Sequence, residues 1–264
     1  MLKKLFLLII FIVVLTFTLN AKSYKIVLDI GEQVISEDSL VTPFSLSAGV
    51  DIVNRYIWRG VEFGVDQNGS STPHIQPTAC LTYSFSNSSS ISFGVWGSYG
   101  FNGNYSESDL YLNAFVPTEL LDVSVTFNDY YYPFVQIPFN DFNSKGAGAH
   151  TIDAQLAVSL KSFLPINFLI STNIFNELPD NNSLYLECGY SLNISNTTLG
   201  LFAGVAKGHS VWHSVQTDKL EFVNVGFKVS KSIKFTEDYS LPVGMQWIYN
   251  HHLKKTYLVF KVTI

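Results

Sequence analysis

Hydrophobic and polar residues alternate with a period of two along most of the chain after residue 43. From Phe44 to Ile52 every second residue is apolar, and the positions between them carry Ser, Ser, Gly and Asp. Successive side chains of a β-strand point to opposite faces, so this alternation predicts strands with one apolar and one polar face. Twelve segments are predicted as strands: 44–55, 74–86, 91–99, 109–116, 121–128, 151–160, 166–175, 183–193, 197–207, 219–230, 239–249 and 256–264.

The connections between these segments alternate in length. Short ones span 87–90, 117–120, 161–165, 193–196 and 230–236, and longer ones span 57–73, 100–106, 131–146, 176–182, 208–218 and 250–255. Short turns at one rim and longer loops at the other are typical of an outer-membrane barrel whose termini both lie at the short-turn rim. After residue 23 we find no apolar run long enough for a membrane-spanning helix and no segment with helical periodicity.

Alternation alone does not say which face lies inside, because a soluble sandwich buries the apolar face and a membrane barrel turns it towards lipid. The polar face here consists mainly of Ser, Thr, Asn and Gly, and aromatic residues gather near strand ends, as at Tyr130–Tyr132 and Trp247. Only 14% of the residues are charged, well below the ~25% of soluble domains. We therefore predict an all-β fold, an up-and-down antiparallel transmembrane β-barrel of about 12 strands.

The first 43 residues differ from the rest of the chain. Residues 1–23 place two lysines before an apolar run and end in A-K-S, which predicts a signal peptide. An uncleaved membrane anchor is the alternative, although the apolar run is shorter than the ~20 residues of a spanning helix. Residues 24–43 are expected to form a periplasmic segment and residues 44–264 the barrel, which gives a location in a Gram-negative outer membrane.

One stretch near the start of the predicted barrel resembles a known family. D-I-V-N-R-Y-I-W-R-G-V-E-F at Asp51 to Phe63 is similar to the N-terminal signature of the TorF-type porins, also called the Gcw_chp family, with the pattern S-R-Y-x-W-R-G closing the first strand. Three further pieces follow in the family's order: P-H-I-Q-P at Pro73 to Pro77, F-G-V-W-G-S at Phe93 to Ser98 and E-S-D-L-Y at Glu107 to Tyr111.

The resemblance implies an outer-membrane barrel and says little about a transported solute. The chain departs from the family pattern at Asn54, where Ser is usual, and ends in Ile264 where outer-membrane barrels commonly have an aromatic residue.

The charged residues of the signature are the main candidates for function. Arg55 and Arg59 are the only arginines in the chain. Strand parity puts them and Asp51 on the lumen side if the first strand continues that far, and it puts Glu107 and Asp109 there as well. Because a narrow lumen cannot hold a lone charge, we expect the arginines to pair with carboxylates. Two interpretations stay open: a charged constriction that selects solutes, or an internal ion-pair network that plugs the barrel.

Several further residues take inward parity. Trp96 and Tyr111 are expected to fill the lumen rather than to bind sugars, and paired charges are expected at Asp153, Glu187 and Lys228. Cys80 has inward and Cys188 outward parity, so no disulfide is expected between them.

The segment His209-Ser210-Val-Trp-His213-Ser214 could suggest a metal site or a lipid hydrolase. It is predicted to be a loop, however, and it lacks both the HExxH glutamate and an orienting third residue. The pair His251-His252 is likewise expected to be a solvated loop. We therefore predict no enzyme activity, no bound metal and no cofactor.

These observations favour a porin-like outer-membrane barrel that passes small solutes through a narrow polar lumen. The alternatives are a non-conducting structural or adhesion barrel that binds partners through its extracellular loops and, less favoured, the lipid hydrolase. The net charge of −5 argues against nucleic acid as a partner. The expected partners are outer-membrane lipid, small solutes, the barrel-assembly machinery and periplasmic chaperones.

Overall fold

The computed structural model describes residues 43–144, 146–161, 165–177, 183–210, 215–237 and 239–264. The predicted signal peptide and most of the predicted periplasmic segment lie outside these residues. Fourteen strands and one 3-10 turn are described: β1 Phe44–Val53, β2 Tyr56–Trp58, β3 Val61–Phe63, β4 His74–Ser84, β5 Ser90–Gly100, β6 Ser106–Pro117, β7 Leu121–Tyr131, the turn Pro133–Val135, β8 His150–Leu160, β9 Ile166–Phe175, β10 Leu184–Ile194, β11 Thr197–Ser210, β12 Val215–Lys234, β13 Ser240–Asn250 and β14 Lys255–Thr263.

Twelve of these strands form one closed antiparallel barrel. Each pairs with the barrel strand before and after it in sequence, with β1 paired directly to β4, and β14 closes the cylinder against β1. Within the described residues no helix is long and apolar enough to cross a bilayer. The predicted fold class, strand number and up-and-down order are confirmed.

The two rims differ in part as predicted. The connections at the rim where β1 begins and β14 ends have two to five residues, and the opposite rim carries the three longest ones, 54–73, 132–149 and 176–183. The other three connections at that rim have only four or five residues. The predicted loop 208–218 is wrong, because β11 and β12 extend through most of it. Register shifts between Gly204 and Val205 and between Ala206 and Gly208 break the alternation there, which hid the extension from the sequence pattern.

The polarity of the wall is inverted relative to a soluble domain. Leu46 is 76% exposed and Phe260 51% exposed, and both belong to the apolar face. By contrast, Ser98 and Asp153 on the polar face are fully buried inside the barrel. The apolar side chains therefore point outward and the hydroxyl, amide and carboxyl groups point into the lumen.

The remaining two strands were not predicted. β2 and β3 pair only with each other, with Tyr56 opposite Phe63 and Trp58 opposite Val61. They lie within the connection that the sequence pattern left as a loop, and β1 ends at Val53 rather than continuing to Arg55. The signature motif therefore forms a separate hairpin and does not close the first strand. Each strand is only three residues long, which is too short for a period-two pattern to be recognised.

Candidate functional site: the inward hairpin

The β2–β3 hairpin lies inside the barrel, in the half of the lumen nearer the long loops. Its two-residue turn is Arg59-Gly60, and both residues have positive φ, 49° and 79°. This combination is the type I′ turn that matches the twist of paired strands. Glycine adopts it freely, whereas arginine does so at a cost, so contacts of the Arg59 side chain must hold the turn in place.

Arg59 at the tip of the hairpin is anchored to the opposite wall. Its Nη2 atom lies 2.8 Å from Oδ2 of Asp153 on β8 and donates to Oγ of Ser171 on β9 at 2.5 Å. Ser171 in turn donates to the Asp153 carboxylate. The side chains of Arg59 and Asp153 are 6% and 0% exposed. The hairpin is therefore held by a buried, hydrogen-bonded ion pair, whose two charges each depend on the other.

Two aromatic rings contact the same guanidinium. The ring centroid of Tyr185 on β10 lies 4.7 Å from Cζ of Arg59, and that of Trp58 lies 4.2 Å away. The Tyr185 hydroxyl donates to Glu187 at 2.5 Å and accepts a hydrogen bond from Asn224 at 2.9 Å. These bonds fix the ring beneath Arg59, where its π-face adds to the attraction of the carboxylate.

The glycine of the turn touches a third part of the wall. Nδ2 of Asn250 on β13 donates to the Gly60 carbonyl at 3.0 Å. A Cβ atom at residue 60 would lie 1.7 Å from the carbonyl oxygen of Val223 on β12. Only glycine therefore fits between the hairpin and the wall at this position.

Replacing Gly60 with alanine should displace the hairpin. The positive φ costs roughly 1–2 kcal/mol for any Cβ-bearing residue, and overlap with β12 adds about 1–3 kcal/mol. Gly69 is a matched control, because its φ is 77° and nothing lies within 4 Å of its added Cβ. Urea unfolding in lipid vesicles should show a clearly larger loss of stability for Gly60→Ala than for Gly69→Ala. Equal losses in the two variants would contradict the docked hairpin.

The other side of the hairpin packs into an aromatic cluster. The ring centroid of Tyr56 lies 5.5 Å from that of Trp96 on β5, and Trp58 lies 5.6 Å from Tyr130 on β7. Tyr105 is a buried member of the same cluster. Trp96, for which the sequence predicts a filling role, is half-buried against this cluster. The Tyr130 hydroxyl donates to Asp153 at 3.1 Å, so the cluster adjoins the Arg59 anchor. The hairpin contacts β5 and β7 through these rings and β12 and β13 through Gly60, so it crosses the lumen from side to side.

Glu107 and Asp109 on β6 lie beside this cluster and are buried, at 4% and 8% exposure. The Tyr105 hydroxyl donates to Glu107 at 2.7 Å, and the hydroxyls of Tyr56 and Tyr132 also interact with this carboxylate. Burial, with the Glu107 charge as a smaller cause, raises the pKa of Tyr105 and Tyr132 in the adjoining loops, so both phenols stay protonated. Tyrosine hydroxyls therefore stabilise Glu107 in place of a cation.

The predicted charge network is only partly brought together. The ion pairs described for the two arginines join them to Glu62 and Asp153 rather than to Glu107 or Asp109. The turn directs Arg59 towards β8 instead, away from β6. Arg55 lies 3.7 Å from Glu62 of the hairpin itself. Asp51 faces the lumen from β1, and its carboxylate accepts a hydrogen bond from Nζ of Lys261 at 2.9 Å.

The half of the lumen nearer the short turns is open to solvent. Thr78 and Lys228 face inward and are exposed, while Tyr111 is half-buried and packs over Gly94. The described lumen therefore has two parts, an accessible polar chamber and a packed hairpin plug. The sequence singled out Asp153 only as one of several inward charges, and it gave no signal for Ser171 or Asn250 as hairpin contacts.

The other sequence candidates lie away from this site. His209 is exposed on β11, and residues 211–214, with His213 and Ser214, lie outside the described residues. His252 lies 4.0 Å from Glu221. No group of three or more potential metal ligands was found among the described residues. Cys80 and Cys188 are both free thiols, on the inner and outer faces as predicted.

The fold and the site define a closed 12-stranded antiparallel barrel whose first long connection folds back into its own lumen. Residues 37–261 match the family model described as "Bacterial protein of unknown function (Gcw_chp)". The match covers most of the chain, which therefore belongs to the Gcw_chp family. A search of curated proteins finds no match.

Proposed function

We propose that the protein is an outer-membrane β-barrel that passes small polar solutes, with the β2–β3 hairpin as its constriction. The observation that carries the proposal is the inverted polarity of the wall. A band of exposed apolar side chains on a closed barrel is unstable in water and stable in lipid. A polar lumen is in turn what a path for hydrophilic solutes requires.

Aromatic residues at both rims support insertion in a membrane. Near the short turns Phe44 stacks edge-on against Tyr83, with 5.0 Å between ring centroids, and Phe235 lies 6.0 Å from Tyr239. Near the long loops, Tyr99 on the outward face is 37% exposed. Such belts are typical of the two interfaces of a membrane barrel. The long-loop rim would face the outside of the cell and the short-turn rim the periplasm.

The two-part lumen supports restricted passage. The exposed polar residues of the chamber give water and solutes access from the short-turn rim, and the hairpin fills the other half. A solute must then pass beside the hairpin or wait for it to move, which limits passage to small molecules. The resemblance of the signature to TorF-type porins points the same way, and no enzyme activity is proposed.

Swelling of lipid vesicles that contain the refolded protein tests the proposal. We expect slow swelling in small solutes such as glycine or arabinose, with rates falling steeply as solute size increases. Vesicles with heat-denatured protein are the control for leakage. Failure of the protein to insert into vesicles would contradict the membrane assignment, and insertion without any solute entry would contradict the transport proposal.

A non-conducting barrel is the second candidate, and the anchored hairpin is the observation that favours it. A buried ion pair together with an aromatic cluster can hold a plug shut permanently. In that case the protein would act by binding partners through its long loops. Insertion into vesicles without solute entry, for the intact protein and for a variant without the hairpin, would support this candidate.

A further inference from the structure

The groups that hold the Arg59 guanidinium belong to the wall of the barrel. The Asp153 carboxylate accepts hydrogen bonds from the Ser171 hydroxyl and, at 3.1 Å, from the Tyr130 hydroxyl. The ring of Tyr185 lies against the guanidinium, and all four wall residues are at most 6% exposed. Because they come from β7, β8, β9 and β10, their positions are set by the wall and not by the hairpin. The wall therefore forms a receptor for a guanidinium, and the hairpin supplies the cation that occupies it.

A second carboxylate adjoins this receptor on the side of the polar chamber. Glu187 follows Tyr185 on the inner face of β10, one step nearer the short-turn rim, and is half-buried. Its Oε2 atom accepts hydrogen bonds from the Tyr185 hydroxyl at 2.5 Å and from Nδ2 of Asn224 at 3.0 Å. Both donors are neutral, so these bonds leave the negative charge of Glu187 in place. The receptor thus combines two carboxylates with one arginine.

Asn224 on β12 adds a buried acceptor. It is 9% exposed, and its Oδ1 atom has no hydrogen-bond partner among the residues that the structure describes. The amide is fixed in this orientation, because Nδ2 donates to the Tyr185 hydroxyl and to Glu187, whose carboxylate only accepts. Asn224 also lies under the turn, since a Cβ atom on Gly60 would be 3.3 Å from its Cα atom. A buried acceptor without a donor is unfavourable, so a ligand with several N–H groups would complete the hydrogen bonding of the site.

Arg59 is an occupant that can be replaced. Its φ of 49° is unfavourable for a residue with a side chain, and the contacts of the guanidinium offset this cost. The rest of the hairpin is held independently of the guanidinium, by Trp58 on Tyr130 and by Asn250 on the Gly60 carbonyl. The Arg59 side chain can therefore swing towards the solvated chamber while the hairpin stays attached, although less firmly.

We propose that this receptor binds small solutes that carry a guanidinium group, in competition with Arg59. The inference rests on the function proposed above and specifies its solute class: the solute enters from the chamber, displaces the Arg59 side chain from Asp153 and loosens the constriction. A guanidinium combines a positive charge with several N–H groups, which suits two carboxylates, the Ser171 hydroxyl and the Asn224 amide oxygen. A neutral solute would leave the buried Asp153 without a counter-charge.

Lys228 is an inward cation on the same part of the wall. Its side chain lies over Gly200 on β11, four residues from Gly204, which is the register partner of both Glu187 and Asn224. Four residues of a strand span about 13 Å, which exceeds the screening length of about 8 Å in physiological salt. Lys228 therefore has little influence on a cation at the receptor.

Fluorescence titration of the refolded full-length barrel in lipid vesicles tests the proposal. The Trp58 ring lies 4.2 Å from the Arg59 guanidinium and should respond when that group leaves. We expect a saturable change with methylguanidinium at non-denaturing concentrations. We expect none with urea, which is neutral, or with tetramethylammonium, which has the charge but no N–H group.

Arg59→Asn removes the internal competitor and retains the turn, because Asn-Gly is a favoured type I′ pair. Methylguanidinium should bind this variant on the order of tenfold more tightly, since no fraction of the receptor is occupied by Arg59. Arg59→Asn combined with Asp153→Asn removes both charges without leaving either one buried alone, and this variant should not bind. Asp122→Asn is the control, because Asp122 pairs with Lys161 at the short-turn rim, and it should bind as the intact protein does.

Three results would overturn the proposal: no saturable binding of methylguanidinium, equal binding of urea or tetramethylammonium, or unchanged affinity in Arg59→Asn. The vesicle-swelling assay separates these failures from a failure of the proposed function. Entry of arabinose without binding of methylguanidinium contradicts the receptor alone. Binding of methylguanidinium without entry of any solute contradicts transport and leaves the receptor in place.

Discussion

Replacing residues 56–72 with a short turn should open the lumen and raise single-channel conductance on the order of tenfold. Val53 and His74 are register partners on β1 and β4, so a tight turn can join the two strands without disturbing the wall. The variant loses the hairpin that crosses the lumen, and the polar chamber then extends from rim to rim. Recordings in planar bilayers, beside the intact protein, measure the effect.

The two cysteines provide the control for the path of the ions. Cys80 faces the lumen and Cys188 faces outward. A charged, water-soluble thiol reagent should reduce the current of the shortened barrel when Cys80 is present and Cys188 is replaced by Ser. It should leave the current unchanged in the opposite combination. A shortened barrel that conducts no better than the intact protein would contradict the role of the hairpin as the constriction.

Replacing Asp153 with alanine should destabilise the docked hairpin by about 3–5 kcal/mol, because Arg59 is left buried without its counter-charge. Single-channel traces should then show frequent openings to the large conductance level. In urea, the variant should unfold at lower concentration than the intact barrel. Tyrosine and tryptophan fluorescence follows the unfolding, since the aromatic cluster surrounds the other side of the hairpin.

The pair Lys234–Glu237 is a matched control for this prediction. Its atoms are 3.1 Å apart, similar to the buried pair, but the side chains are 58% and 91% exposed. Breaking it with Lys234→Ala should change stability very little, because exposed ion pairs contribute little. Removing both buried charges, with Arg59→Met and Asp153→Leu, should restore part of the stability lost in Asp153→Ala. A loss in Lys234→Ala as large as in Asp153→Ala would argue against the ion pair as the anchor.

The wall of the barrel was predictable because each of its strands separates two environments. Lipid on one side and the lumen on the other impose a period of two, and this period is visible along the wall strands except at the end of β11 and the start of β12, where register shifts interrupt it. The hairpin has protein on both sides, with Trp58 packed on Tyr130 and Arg59 bound to Asp153. No polarity pattern marks such a segment. Glycine after Arg59 was a local turn signal, but Arg-Gly is not a strong one.

The partner of Arg59 could not be chosen from the sequence either. Parity places several carboxylates on the inner face, among them Asp51, Glu107, Asp109, Asp153 and Glu187, so each of these was a candidate. The direction of the Arg59-Gly60 turn, which joins the two three-residue strands, decides among them. The tyrosine hydroxyls around Glu107 explain why that carboxylate does not require the arginine, and they come from three separate segments of the chain.

β1 and β14 have fewer paired residues than any other two neighbouring strands of the barrel. Asp51–Val53 pair with Thr263–Lys261, and Val50 and Ile264 exchange backbone hydrogen bonds. Residues 44–49 of β1 pair with β4 on one side, and no described strand flanks them on the other. Exposed strand edges are weak points of a sheet. On heating, β1 should therefore separate from β14 before other neighbouring strands separate. The barrel would then open into a sheet while Arg59 is still bound to β8 and β9 on the far side.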